Sequence, residues 1–183
     1  MLNELIQKAQ SDKEYFESVK HSLETAATPS EVEVIRDELI EGGYIRTHKT
    51  KQKKKPYKPN PERFISTDGF EIYVGKNNYQ NDYLTLKLAN KNDVWFHTKN
   101  IPGSHCVVIS DGKEVPESTL TQAAILAATF SKASGSASVA VDYTKIKNVK
   151  KPSGAKPGMV IYKTNQTAFV TPDLTLANQL KEK

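Results

Sequence analysis

Asp93-Val94-Trp95-Phe96-His97-Thr98-Lys99-Asn100-Ile101-Pro102-Gly103-Ser104-His105-Cys106-Val107-Val108-Ile109 reads as a strand, a tight turn and a returning strand. The first strand carries the chain's one tryptophan. Successive strand side chains point to opposite faces, so Trp95 and Phe96 diverge, one toward a core and the other open to stacking on a base. Pro102 fixes φ and Gly103 makes a positive φ cheap, a type II turn signature. Ser104 and the neighbouring amides could form an anion-binding nest. His97 and His105 sit at the turn-facing ends of the two strands, as satisfied structural histidines or as contacts to nucleic acid or a partner. No metal is assigned, because two histidines without a third acidic or thiol ligand nearby make a poor zinc pattern. Asp93, His97 and Ser104 have the composition of a triad but no activating context. With no P-loop, G-x-S-x-G, H-E-x-x-H or C-x-x-C, the chain reads as a non-enzyme without a cofactor.

Working outward, residues 62–178 read as one folded domain. Arg63–Ser66 and Phe70–Val74 flank Asp68-Gly69, a hairpin signal. Residues 83–88, Tyr-Leu-Thr-Leu-Lys-Leu, alternate as a half-buried strand. Residues 117–133 are alanine-rich with a wide apolar face, and Gly135 closes that helix. Val139–Tyr143, Met159–Lys163 and Thr167–Thr171 are later strands, the last two read as a hairpin over Thr164-Asn165-Gln166. The order predicts an α+β fold: a mixed or mainly antiparallel sheet with one main helix on a face.

Two further loops suit an anionic partner. Gly75 to Asp82 offers Lys76 with Asn77, Asn78 and Asn81, which either close the loop through their own Asx-turns or read phosphate, ribose and base edges. Residues 144–158 carry Lys145, Lys147, Lys150, Lys151 and Lys156 and no acid. Lysine mixed with proline and glycine makes a shaped cationic loop. With Trp95, His97, Lys99, Ser104 and His105 from the turn, these are the candidate RNA contacts.

Charge divides the chain. Residues 1–45 hold four basic and ten acidic side chains, a net of −6, and residues 46–183 hold 22 and 11, a net of +11. Residues 46–61 have seven Lys or Arg, three Pro and no acid. Lys49, Lys51, Lys53, Lys54, Lys55 and Lys58 make this a flexible basic linker, either a solvated tether or an electrostatic contact to phosphates. Upstream, a heptad from Leu2 places Leu2, Ala9, Phe16 and Leu23 at one seam and Leu5, Asp12, Val19 and Ala26 at the other, a coiled-coil remnant. Its partner helix is expected upstream in a longer protein or from a second copy. Thr28-Pro29-Ser30-Glu31 is a capping box opening a short helix that Gly42-Gly43 closes.

Mean hydropathy is −0.57, and no apolar run approaches the ~20 residues of a membrane span. Nothing at the N-terminus resembles a secretory leader. Cys106 cannot form an internal disulfide and reads as a buried thiol.

Asp68-Gly69-Phe70-Glu71-Ile72-Tyr73-Val74-Gly75-Lys76-Asn77-Asn78, Asn81-Asp82, Asp93-Val94-Trp95-Phe96-His97 with Pro102-Gly103-Ser104-His105, and Val149-Lys150-Lys151-Pro152 with Lys156-Pro157-Gly158 resemble the NFACT-R domain of the NFACT family. The likeness covers about residues 62–175, and residues 1–45 resemble the end of that family's coiled-coil arm. It implies an RNA-binding module that acts with rRNA and tRNA at stalled large ribosomal subunits and supports C-terminal alanine tailing by the whole protein. The implied location is cytoplasmic. Some family members carry the label fibronectin-binding, which implies instead an adhesin fragment displayed at the cell surface by an unconventional route.

Overall fold

The computed structural model describes residues 2–46 and 57–181. The linker lysines Lys49, Lys51, Lys53, Lys54 and Lys55 lie outside the described residues. Helices α1 (Leu2–Thr25) and α2 (Pro29–Glu41) precede strands β1 (Glu62–Ile65) and β2 (Glu71–Val74). Helix α3 (Asn78–Tyr83) leads to β3 (Val94–Thr98) and β4 (Cys106–Val108). Helix α4 (Glu117–Thr129) is followed by β5 (Val139–Lys145), β6 (Val149–Lys150), β7 (Ile161–Tyr162), β8 (Gln166–Val170) and α5 (Leu174–Leu180).

The fold is α+β. Six strands form one sheet in the order β1-β2-β4-β3-β5-β8, and every pairing is antiparallel. The hairpin expected on Asp68-Gly69 is present, with Phe64 opposite Ile72 and Gly69 at φ 83°. The second hairpin sets Trp95 opposite Val107 and Phe96 opposite Cys106. One sheet face packs Phe96, Val108 and Val141 against Ala123, Ala124 and Leu126 of α4. The other packs Trp95 and Val107 against Leu84 and Val149, with Tyr162 alongside. Trp95 and Phe96 therefore diverge as expected, but both faces are covered and both residues are 0% exposed. Cys106 is a buried free thiol, and burial pushes its pKa up.

Four local expectations are corrected. Residues Leu84–Leu88 form a π-helical stretch rather than a strand. Asn77 caps α3 by accepting from the Gln80 N–H at 2.9 Å, and the chain continues helically from there. The wider turn buries the consecutive residues Leu84 and Thr85, which a strand would send to opposite faces. The last two strands are not a hairpin: β7 pairs with β6 and β8 with β5. The positive φ of the 99–103 turn belongs to Asn100, at 56°, and not to Gly103. Gly103 is required by close packing, since a Cβ there would sit 2.8 Å from Thr98 Oγ1 and 2.9 Å from Ser131 Cβ. Helix α4 ends at Thr129, ahead of Gly135, because Ser131 makes a bridge to Gly103.

The capping box of α2 is formed: Glu31 N–H donates to Thr28 Oγ1 at 3.3 Å and Thr28 N–H donates to Glu31 Oε2 at 3.2 Å. Helix α1 buries Tyr15, Val19 and Ser22, and Tyr15 and Val19 pack with Ile35 of α2. Of the heptad seam, Leu2, Leu5, Phe16 and Leu23 stay exposed.

Candidate nucleic-acid interface

The 75–82 and 97–105 loops and the second half of the 144–158 loop meet at the C-terminal end of β3, under α1 and α2. Their polar side chains hold one another. Asn81 Oδ1 accepts from the His105 N–H at 3.0 Å, and His105 Nδ1 lies 2.8 Å from Thr85 Oγ1. Asn78 Nδ2 donates to Ser18 Oγ of α1 at 3.1 Å and to Glu38 Oε1 of α2 at 2.9 Å. Tyr15 donates to the same Glu38 oxygen at 2.8 Å. Glu38 is 2% exposed, and burial raises its pKa against the lowering effect of those two bonds.

Three lysines of these loops are ion-paired, Lys76 and Lys156 to the acidic helices α2 and α1 and Lys151 to α3. Lys76 pairs with Glu31 at 3.3 Å, Lys151 with Asp82 and Lys156 with Asp12. The Lys156 ammonium lies 4.9 Å from the ring centre of Tyr15, 5.8 Å from that of Phe16 and 5.4 Å from that of Tyr44, a three-sided aromatic cage. Tyr57, at the end of the basic linker, accepts from Gln80 Nε2 at 3.0 Å, beside the exposed Lys58.

Burial lowers the pKa of His97. Burial and then the neighbouring His97 place His105 well below the usual histidine range. Their rings meet edge to face at 5.4 Å, and Trp95 lies against both. The Ser104 amide donates to Phe130 O at 3.2 Å and the His105 amide to Asn81, so the proposed nest is already filled. Asp93 spends its carboxylate on Ser110 and the Asn90 amide, at the opposite end of β3 from His97, and no triad assembles. Among the described residues no group of three or more His, Cys, Asp or Glu could hold a metal ion, and no helix is long and apolar enough to cross a membrane.

The structure thus splits the sequence candidates. Asn77, Asn78, Asn81, Trp95, Ser104 and His105 are buried, and His97 is half-buried. Lys76, Lys151 and Lys156 are ion-paired. Lys99, Lys145, Lys147 and Lys150 are exposed and make no ion pair to the described residues. The loop at 144–158 is divided by β6. Lys145 and Lys147 lie at the N-terminal end of β3, where the Lys147 N–H donates to Lys91 O at 3.1 Å. Lys151 and Lys156 lie at the other end. Sequence reasoning missed Lys91, Lys113 and Lys163, which share the first end; each stands alone in its local sequence, and only the topology groups them.

An antiparallel α+β sheet domain with a basic surface and acidic helices locked across its loops is the architecture to be placed. Residues 61–164 match the family described as NFACT protein RNA binding domain, and residues 1–58 match NFACT N-terminal and middle domains; the chain belongs to the NFACT family. It is 49% identical over 184 residues to the protein named Rqc2 homolog RqcH of Bacillus subtilis (strain 168), covering 100% of this chain and 32% of that protein. It is 48% identical over 173 residues to the protein of the same name from Streptococcus suis (strain 05ZYH33), covering 93% and 30%. The chain therefore spans about a third of the length of these relatives. A solved structure, the C-terminal of the fibronectin/fibrinogen-binding protein from Streptococcus suis (FBPS), is similar with a TM-score of 0.90 and 43% identity, over 99% of this chain and 72% of that one.

Proposed function

We propose that this chain is the RNA-binding module, with its helical base, of a ribosome quality-control factor. It holds rRNA or tRNA at a stalled large ribosomal subunit in the cytoplasm and supports C-terminal alanine tailing of the nascent chain. The match of residues 61–164 to the NFACT RNA binding domain carries this reading. The name Rqc2 homolog RqcH on relatives 48–49% identical to the chain and the exposed lysines without ion-pair partners among the described residues support it. Tailing is assigned to the regions those relatives carry outside the matched part. The exposed Leu2 and Leu5 of α1 would face a partner helix, from upstream sequence or a second copy. Titration with tRNA and with large subunits across a salt series tests the RNA reading. Affinity should fall log-linearly with salt, and charge reversal at Lys147 and Lys150 should flatten the slope. Binding indifferent to both would rule out phosphate contact.

A second reading is favoured by the name of the solved relative: this region of the protein binds fibronectin at the cell surface. Surface plasmon resonance on immobilised fibronectin should then saturate at physiological salt and survive an excess of polyanion. Loss of signal to the competitor would reduce it to nonspecific charge attraction.

A further inference from the structure

Lysines gather around a recess of about 720 Å³ at the N-terminal end of β3, lined by residues that include Asn92, Lys113, Lys145, Asn148, Thr164 and Asn165 and by none from α1 or α2. We propose that this groove binds an unpaired stretch of RNA, with lysines on the phosphates and amides on the base edges. The inference rests on the RNA-binding reading above and says where that binding occurs.

Charge comes first. Lys113 and Lys145 line the groove. Lys91 and Lys163 are tied to it through their backbones, Lys91 O accepting from Lys147 N–H at 3.1 Å and Lys163 N–H donating to Asn148 O at 3.2 Å. Against these lysines stand Glu114, which itself lines the groove, and the exposed Asp111 between the lining residues Ser110 and Gly112. Asp93, beneath the groove, has both carboxylate oxygens committed to Ser110 and the Asn90 amide. The local balance is positive, and no residue of α1 or α2 lines the groove.

Shape and chemistry come second. The volume falls within the roughly 300–1,000 Å³ of sites that enclose a small ligand. Side-chain amides present a donor and an acceptor together, as base edges and the ribose 2′-hydroxyl require, which lysine cannot do. A paired A-form helix offers its phosphates on a convex surface and keeps its base edges out of such a recess. A base turned out of a single strand can enter it.

The floor is fixed before any ligand arrives. Thr164 sits at φ 57°, an uncommon conformation for a β-branched residue. It is held there by Thr144 Oγ1, which donates to Thr164 O at 2.8 Å and accepts from Asn148 Nδ2 at 2.9 Å. A pre-set floor lowers the ordering cost of binding.

The test uses the full chain with a short single-stranded oligoribonucleotide and the same sequence as a blunt duplex. K113A with K145A should weaken single-strand binding about tenfold or more, while K8E with K20E, on α1 and away from the groove, should change it by less than about threefold. Asn165→Ala, at an exposed position, should weaken the single strand and leave the duplex unchanged. A 4-thiouridine probe should crosslink to peptides spanning 143–148 or 162–166. The groove is overturned if its variants bind the single strand as the parent does, or if the duplex binds as well and responds identically. Failure of the parent chain to bind RNA in any form would bring down the RNA-binding reading along with it. Intact parent binding that ignores the groove variants brings down the groove alone.

Discussion

Lys156 and Asp12, 144 residues apart in sequence, form an ion pair that closes the joint between α1 and the sheet domain. The pair joins the part of the chain with net charge −6 to the part with net charge +11. Around it, three aromatic rings shield the ammonium from water, so it is held by packing as well as by charge.

Lys156→Met keeps most of the side chain's volume and removes its charge. The loss combines a cation–π contribution of about 0.5–2 kcal/mol with a partly exposed pair that contributes less than about 1 kcal/mol. Hydrogen exchange should show faster opening of the α1 amides around Tyr15, with the amides of β3 unchanged.

Gly158 has φ 76°, and a Cβ there would collide with the side chain of Asn78. Gly158→Ala therefore combines a strained backbone with displacement of the Asn78–Glu38 bond. A destabilisation of roughly 2–4 kcal/mol is expected, read as a lowered denaturation midpoint. Gly69→Ala, where nothing lies within 4 Å, should show only the backbone part.

Glu38 gives a pH signature. Its folded pKa is raised, so between the ordinary value of 4.5 and the raised one the folded state binds more protons than the unfolded. Its contribution to stability is best below 4.5 and declines as pH rises through that window. Glu38→Gln removes the titration. The melting temperature of the variant minus that of the parent should grow from acid toward neutral pH; a flat difference would show that Glu38 is not held protonated.

His105 works in the opposite direction. Its folded pKa lies well below 6.5, so the unfolded chain takes up a proton first as pH falls. Stability should drop as pH decreases below about 6.5. His105→Gln should lessen that acid sensitivity, as followed by thermal melts from pH 7.5 to 5.

Trp95, the one tryptophan, is a single fluorescent reporter. Because it is 0% exposed, its emission should be blue-shifted and resist iodide quenching in the native state. RNA bound in the groove, which the indole does not line, should leave that emission in place, whereas direct stacking on the indole would quench it.

Much of the fold is legible in local sequence. Asp68-Gly69 fixes a hairpin, Thr28 to Glu31 fix a helix start, and the alternation at Trp95-Phe96 divides two cores. Residues 83–88 mislead because their strand-like alternation is overruled by the helix that Asn77 starts. The site was less legible. Lysine and asparagine announce a polar contact without saying to what, and here Asn78, Lys76 and Lys156 answer to acids far away in sequence. Of the groove lysines only Lys145 sits in a cationic loop visible in the sequence, and strand order alone brings Lys91, Lys113 and Lys163 to the same end of the sheet.

Strand β3 ends in the joint on one side and in the groove on the other, about 13 Å apart along Val94 to Thr98. It is an inner strand of the sheet with both faces covered, so packing and pairing hold the spacing of its two ends. An RNA gripped at the groove would consequently fix the bearing of α1 like a compass needle on its card.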